Sequence, residues 1–147
     1  MHTWGKLWFV GALLVLGCGG VSQYVYPWGN TAPDCSYADF FIDPSGCSLA
    51  NSNVLPFPVG STSPHGNSKF GQVDMGGSVS EPVQDGYFDT LSTSCNNCAA
   101  GPGMYNYRVF KGGNFGRSLN FLANGFRDSD SQGDHDYHFG VRCARTP

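Results

Sequence analysis

Charged side chains are scarce in this chain. Asp, Glu, Lys and Arg make up 13% of its 147 residues, and the formal net charge is −3. No basic stripe is visible, whereas nucleic-acid-binding domains carry one to neutralise phosphates. Nucleic acid is therefore not expected as a partner. Intrinsic disorder is also disfavoured, because disordered chains combine few aromatics with high net charge, and 14% of these residues are aromatic.

Helical patterns are almost absent as well. The chain holds 21 Gly and 9 Pro, and only Ser118 to Phe126 shows helical spacing, with Leu119, Leu122 and Ala123 on one face. A helix this short depends on tertiary contacts. The length suits one domain with a modest core. These features predict a single loop-rich domain of mixed or β structure.

No hydrophobic run is long enough to span a bilayer as a helix. The longest, Leu7 to Leu16, follows Lys6 and suits the core of a signal peptide. We therefore expect a leader over residues 1–17 and a domain over residues 18–147. The residues before Cys18 also resemble a bacterial lipobox, which would place a lipid on its sulfur. The protein is expected to be exported to the periplasm, cell surface or exterior of a bacterium, with a membrane contact only through that lipid.

Cysteine is plentiful for a chain of this size. An even number of cysteines in a small exported domain favours disulfides, although fifteen pairings of six are possible. A bond between Cys35 and Cys47 would close a small loop in a segment rich in Pro, Gly and Ser. The Cys95-Asn-Asn-Cys98 motif favours a local disulfide over a redox centre, because no βαβ pattern surrounds it. The six cysteines are Cys18, Cys35, Cys47, Cys95, Cys98 and Cys143.

Runs of β-branched and aromatic residues bounded by glycine and proline predict four short strands or turn-and-strand segments. The terminal stretch Arg108 to Pro147 begins and ends with one of them. The predicted segments are Val21 to Tyr26, Phe70 to Glu81, Arg108 to Gly113 and Phe139 to Arg145.

Together, these landmarks resemble the C-terminal half of a formylglycine-generating enzyme (sulfatase-modifying factor) domain. The resemblance covers nearly everything from Cys18 onward and implies an irregular, coil-rich α+β fold of the C-type-lectin-like kind, truncated at its N-terminus. The motifs that carry it are Cys18-Gly-Gly with Tyr26-Pro-Trp-Gly-Asn30, Val59-Gly-Ser61 with Pro64 and Gly66, Phe70-Gly-Gln-Val-Asp-Met-Gly-Gly-Ser-Val-Ser-Glu81, and Arg108 to Pro147.

The resemblance also implies a disulfide pairing. It joins Cys18 to Cys143 and leaves Cys35 with Cys47 and Cys95 with Cys98. A lipid on Cys18 would prevent the first bond, so the two interpretations of Cys18 exclude each other.

Enzymes of this family oxidise a substrate cysteine to formylglycine with molecular oxygen, and two active-site cysteines bind the copper(I) they use. Soft thiolates suit a monovalent copper ion. No cysteine lies between Lys111 and Arg142, the segment where the family carries them. Neither copper nor this oxidase activity is therefore expected here.

Calcium is the metal that the resemblance supports, bound by hard oxygen ligands. The segment around the expected site departs from the family at Ser78, Ser80 and Pro82, where the family has Asn, Trp and Trp. The loss of two tryptophans removes much buried apolar area. The expected calcium ligands are Asp74, Gly77, Val79 and Glu81, with a second site beginning at Asp39 and Phe40.

Two histidines, His135 and His138, lie three apart among aspartates and could hold a metal, but a solvated polar loop is favoured there. The leading hypothesis is a calcium-stabilised, non-catalytic domain that binds an unknown protein or peptide ligand, or a degenerate copy. The alternatives are a metal-dependent oxidase of the same superfamily and a small structural surface lipoprotein.

Overall fold

The fold is mostly coil around a small antiparallel sheet. The computed structural model describes the strand Trp8–Phe9 and residues 24–41, 47, 55–87 and 106–144. The sheet joins β2 (Glu81–Gly86), β3 (Tyr107–Lys111) and β4 (Asp128–Ser131) in that order, and β1 (Trp8–Phe9) pairs antiparallel with β5 (Cys143–Ala144) in a separate ribbon. A small sheet with little helix in the described residues agrees with the irregular, coil-rich architecture expected from the sequence, while the C-type-lectin-like detail and the N-terminal truncation stay predictions. The elements are β1 Trp8–Phe9, β2 Glu81–Gly86, β3 Tyr107–Lys111, a 3-10 helix Leu119–Leu122, β4 Asp128–Ser131 and β5 Cys143–Ala144.

β3 is the central strand, and it confirms the strand predicted at the start of the terminal stretch. Val109 and Phe110 are buried, as β-branched and aromatic side chains favour in a sheet. Gly112 and Gly113 end the strand with φ of 89° and 67°, a left-handed conformation that glycine adopts without steric cost.

The two outer strands depend on β3. β2 contains Pro82 opposite Phe110, and proline is tolerated there because an edge strand has one unpaired side. β4 reads Asp-Ser-Asp-Ser and has no apolar residue. It is a strand because it pairs along β3, from Tyr107 opposite Ser131 to Phe110 opposite Asp128, which explains why its sequence pattern predicted none.

The predicted helix over Ser118 to Phe126 is wrong beyond one 3-10 turn, Leu119–Leu122. Leu122 is buried, but Leu119 is 43% exposed, so the apolar residues do not share one buried face. The Lys111 ammonium donates to the carbonyls of Asn124 and Phe126 at 2.8 and 2.6 Å. The Asn124 N–H donates to the Val25 carbonyl at 2.8 Å, whereas a continued helix would have bonded it to the Asn120 carbonyl.

Two predicted strands are shorter than expected. Tyr26 exchanges backbone hydrogen bonds with Gly29 across a tight turn, so the described end of the first segment is a turn, and Val21 to Gln23 lie outside the described residues. In the terminal segment only β5 is a strand, while Phe139 makes an isolated bridge with Ser80.

A small aromatic core packs beside the sheet. Trp28, Ala38, Phe40 and Leu122 are buried together, and Trp28 stacks on Tyr26 with ring centroids 5.3 Å apart. Each buried aromatic contributes roughly 150–250 Å² of apolar area. These residues pack the segment 28–40 against the 3-10 helix.

The disulfide predicted between Cys35 and Cys47 is confirmed, with a Cα–Cα distance of 5.2 Å. The chain-entropy model assigns a loop of this length about 3 kcal/mol of stabilisation. The bond holds a loop that has few apolar residues of its own.

The resemblance-based bond between Cys18 and Cys143 is not supported at Cys143. That residue is an exposed free thiol, and in β5 it lies opposite Phe9 of β1. Cys18, Cys95 and Cys98 lie outside the described residues. The Cys95–Cys98 bond, the lipid on Cys18 and the leader stay predictions.

In the part of the chain that the structure describes, no helix has the length and apolar character needed to cross a membrane.

Candidate functional site

Three backbone segments are joined by hydrogen bonds: the Asp39 segment, the loop before β2 and the turn after β3. The Gly77 N–H donates to the Gly112 carbonyl at 2.7 Å, the Ser78 N–H to the Asp39 carbonyl at 2.9 Å, and the Phe115 N–H to the Ser78 carbonyl at 3.1 Å. Gly77 has a φ of +78°, and a Cβ added there would lie 2.3 Å from the Asp39 carbonyl oxygen. The loop before β2 is therefore locked between the Asp39 segment and the turn after β3.

The structure brings Asp74 and Glu81 together through Arg142. The Arg142 Nε–H faces both carboxylate oxygens of Glu81, at 3.0 and 3.1 Å, and its Nη2 donates to the Asp74 carbonyl at 3.0 Å. Asp74 Oδ2 accepts the Gly60 N–H at 2.7 Å. Burial raises the pKa of Glu81, and the charge and hydrogen bond of Arg142 oppose that rise.

The contacts of Asp74 and Glu81 bear on the expected calcium site. Calcium takes six to eight oxygen ligands, and both Glu81 oxygens and one Asp74 oxygen already accept hydrogen bonds. Each carboxylate oxygen has a second lone pair, so these hydrogen bonds do not exclude the ion. Calcium at Asp74, Gly77, Val79 and Glu81 stays a prediction from the resemblance.

The residues predicted to begin the second calcium site also hold loops together. Asp39 is fully buried, and its Oδ2 accepts the Phe57 N–H at 2.8 Å. The Phe40 carbonyl accepts the Cys47 N–H at 3.0 Å. These contacts position the segment against which Gly77 packs.

A polar cavity, here called the polar cleft, opens beside β4. It has a volume of about 300 Å³. Arg117 faces Asp128 across it with a 3.5 Å separation between charged atoms. The cleft lies in the segment between Lys111 and Arg142, where the family carries its cysteines, and none of its lining residues is a cysteine. They are Asn114, Gly116, Arg117, Asp128, Asp130, Asp136, His138 and Phe139.

His138 is fixed on one wall of the polar cleft. Its Nδ1 lies 2.9 Å from Asp136 Oδ1, and its backbone N–H donates to the same oxygen at 3.2 Å. The imidazole stacks on Phe115 with ring centroids 4.8 Å apart. Burial acts to raise the pKa of Asp136, but its hydrogen bonds with His138 outweigh that effect and lower the pKa. Asp136 is thus held as an anion at the cleft.

Asn114 and Ser80 form the buried support of the polar cleft. The Asn114 Nδ2 donates to Ser80 Oγ at 3.0 Å, and its Oδ1 accepts the Gly116 N–H at 3.0 Å. Both residues are nearly inaccessible. The sequence marked Ser80 only as a departure from the family, and its pairing with Asn114 could not be found without the fold.

A second, more apolar cavity, the sheet groove, lies across β2 and β3 and has a volume of about 480 Å³. Pro82, at the position of a family tryptophan, lines it with Phe110 and Phe139, whose ring centroids are 4.5 Å apart. His135 lines the sheet groove, while His138 lines the polar cleft. The two histidines, for which a shared metal was the less favoured alternative to a solvated polar loop, therefore do not face one cavity.

Two carboxyl groups that hydrogen-bond to each other line different cavities. Asp130 lines the polar cleft and Asp134 lines the sheet groove. A hydrogen bond with Asp130 raises the pKa of Asp134. Sequence reasoning grouped these aspartates with the histidines, but it missed Arg117 and Arg142, since neither belongs to a ligand pattern.

Comparison with known proteins finds a family model that matches this chain. A family model described as a sulfatase-modifying factor enzyme 1-like domain matches residues 11–147. The chain is 30% identical over 134 residues to the serine/threonine-protein kinase pkn1 of Chlamydia caviae. That match covers 89% of this chain and 19% of the kinase, so the chain spans about a fifth of this relative.

Solved structures show the same fold at low sequence identity. PvdO from Pseudomonas aeruginosa has a TM-score of 0.71 at 20% identity, covering 92% of this chain and 50% of PvdO. Treponema denticola variable protein 1 has a TM-score of 0.65 at 22% identity, covering 97% and 48%. CarF has a TM-score of 0.62 at 19% identity, covering 95% and 46%. The chain thus spans about half of each.

Proposed function

This chain belongs to the sulfatase-modifying factor enzyme 1-like domain family, and we propose that it is an exported, non-catalytic member that binds a cationic group of a protein or peptide in its polar cleft. The observation that carries the proposal is the lining of that cleft. The oxidation chemistry of the family needs two thiolates in this segment, and the cleft instead presents carboxylates, an amide and an imidazole.

The charge of the polar cleft favours a cationic ligand. Asp128, Asp130 and Asp136 contribute three carboxylates, while Arg117 offsets one of them through its contact with Asp128. The hydrogen bonds of His138 with Asp136 hold that carboxylate ionised. A guanidinium or ammonium group entering the cleft would exchange water for charge-assisted hydrogen bonds.

Export is supported by the disulfide and by the N-terminal sequence. Disulfides form and persist mainly in oxidising compartments, and Cys35 and Cys47 are bonded. The apolar run Leu7 to Leu16 has the length of a signal-peptide core. Mass spectrometry of the protein from separated cell fractions tests this. A cytoplasmic product that retains the leader would contradict export. A diacylated Cys18 would identify the lipoprotein form.

The absence of oxidase activity is the first expected result. With copper(I), oxygen and a cysteine-containing sulfatase peptide, oxygen uptake should stay at the level of the buffer, measured with an oxygen electrode. A family enzyme with both cysteines provides the positive control. Cys143→Ser provides the background control, because the exposed Cys143 thiol could itself be oxidised by copper. Formation of formylglycine in the peptide would overturn the proposal.

Binding to the polar cleft is the second expected result. N-acetyl-arginine amide should shift the NMR signals of cleft residues, whereas the uncharged N-acetyl-citrulline amide should not. Asp136→Asn should weaken the arginine ligand about threefold to fivefold, the range for a partly exposed charge pair. Asp34→Asn is the matched control, since this exposed carboxylate bonds only locally to Ser36. Equal shifts with both ligands would contradict a cation site, and no shift with either would favour a degenerate copy.

A further inference from the structure

The sheet groove and the polar cleft lie on the same face of the sheet. Arg108 of β3 pairs with Asp130 of β4, and Phe110 pairs with Asp128. Directly opposite residues of an antiparallel pair project from the same face. The two β3 residues line the sheet groove, the two β4 residues line the polar cleft, and Phe139 lines both. The two cavities are therefore neighbours with a common wall, and one ligand can reach both.

The lining of the sheet groove suits an aromatic ring. Phe110 and Phe139 lie there with ring centroids 4.5 Å apart and ring planes tilted by 34°. Phe139 is only half-buried, and the small ring of Pro82 borders the same cavity. Aromatic rings prefer offset-stacked or edge-to-face contacts, which a tilted pair offers to a third ring. The volume of about 480 Å³ falls within the range of pockets that enclose small ligands. An aromatic side chain is therefore the occupant that this lining favours.

The polar groups of the sheet groove favour tryptophan among the aromatic side chains. Arg108 lies there, with its Nη1 donating to the Gln84 carbonyl at 2.5 Å, and a guanidinium over an aromatic face attracts tryptophan most strongly. Ser131 and Asp134 add a hydroxyl and a carboxyl group to the lining. The indole N–H is a donor only, and either group provides an oxygen to accept it.

We propose that the sheet groove is a second subsite, which takes a tryptophan side chain of the same peptide whose cationic group enters the polar cleft. The ligand class is then a protein or peptide segment in which an arginine or lysine lies close to a tryptophan. This inference rests on the proposed function for the cationic group, while the tryptophan has its own cavity and its own contacts.

Ligands that carry one or both side chains test the proposal by NMR titration of the whole chain. N-acetyl-tryptophan amide should shift the signals of groove residues such as Gln84 and Phe110, whereas N-acetyl-leucine amide at the same concentration should not. Next come peptides in which one, two or three glycines separate an arginine from a tryptophan. At least one should bind about tenfold more tightly than its alanine-for-tryptophan counterpart, because linking two sites raises the effective concentration of the second group. That peptide should shift the signals of both cavities.

The outcomes separate this inference from the proposed function. Shifts from an arginine ligand at the polar cleft, with no gain from tryptophan at any spacing, would overturn the tryptophan subsite and leave the cation site standing. Shifts from tryptophan at the sheet groove, with none from arginine, would overturn the cation site and with it the two-site ligand. Equal shifts from the tryptophan and leucine ligands would show an unspecific apolar surface and also overturn the subsite.

A variant that fills the sheet groove completes the test. Pro82→Trp places an indole in the cavity from edge strand β2, where aromatic residues are well tolerated, and it should abolish the gain from the ligand tryptophan. If this variant does not fold, Gln84→Trp, at an exposed position of β2 that also lines the sheet groove, should do the same. Val59→Trp is the matched control, because Val59 is 92% exposed and lies outside the lining of both cavities. An undiminished gain in a folded groove variant would contradict the proposal.

Discussion

Arg142→Met is expected to lower the free energy of unfolding by about 3 to 5 kcal/mol, because removing one partner of a buried ion pair leaves the other charge uncompensated. Glu81 would keep its burial and lose the guanidinium that opposes it. The Asp74 carbonyl would lose its donor as well. Denaturant unfolding followed by tryptophan fluorescence measures the loss, which corresponds to a fall of roughly 10 °C in the melting temperature for a domain of this size.

The double variant Glu81→Gln with Arg142→Met separates the lost charge pair from lost packing. A glutamine carries no charge, so the double variant is expected to recover about half of the stability that Arg142→Met loses. The coupling energy of the double-mutant cycle then reports the ion pair itself. If Arg142→Met costs under about 1 kcal/mol, the contact is a solvated pair of the kind that contributes little, and Arg142 does not hold the C-terminal segment to Glu81 and Asp74.

Local sequence chemistry predicted the parts of the fold that depend on neighbouring residues. β3 follows from a β-branched and aromatic run closed by Gly112 and Gly113, whose positive φ angles end the strand. The bond between Cys35 and Cys47 follows from their short separation of 12 residues. In both cases the residues that carried the prediction are close in the chain, so spacing and residue type suffice.

Long-range contacts overturned predictions made from local patterns. The segment after Ser118 has helical spacing, but the Asn124 N–H bonds to the distant Val25 carbonyl and not to the Asn120 carbonyl. β4 has no apolar residue and is a strand only through β3. No property of these segments taken alone contains that information.

The candidate site was predictable in composition but not in geometry. The aspartates near His138 were noted in the sequence, and three of them line the polar cleft. His135 and His138 were expected to lie in a solvated polar loop, with a shared metal as the less favoured alternative, and they line different cavities. Arg142 lies 61 residues from Glu81, and only the fold reveals their contact.

Gly77→Ala is expected to lower the free energy of unfolding by about 4 kcal/mol, because the backbone at this position does not accommodate a Cβ. At a φ of +78° a residue with a Cβ loses about 1–2 kcal/mol. The added Cβ would also lie 2.3 Å from the Asp39 carbonyl oxygen and 2.8 Å from its nitrogen. The segments must then separate, which breaks the hydrogen bonds from Gly77 to Gly112 and from Ser78 to Asp39. Each such bond contributes about 1 kcal/mol.

Gly71→Ala isolates the clash from the cost of the left-handed conformation. Gly71 has a φ of +87°, and a Cβ added there meets nothing within 4 Å. Gly71→Ala should lower the free energy of unfolding by only about 1–2 kcal/mol, measured by the same denaturant unfolding. The difference between the two variants then measures the contact between the Asp39 segment and the loop before β2. Equal losses would mean that this junction yields to a methyl group, and that the loop carrying Asp74 and Glu81 is not held by Asp39.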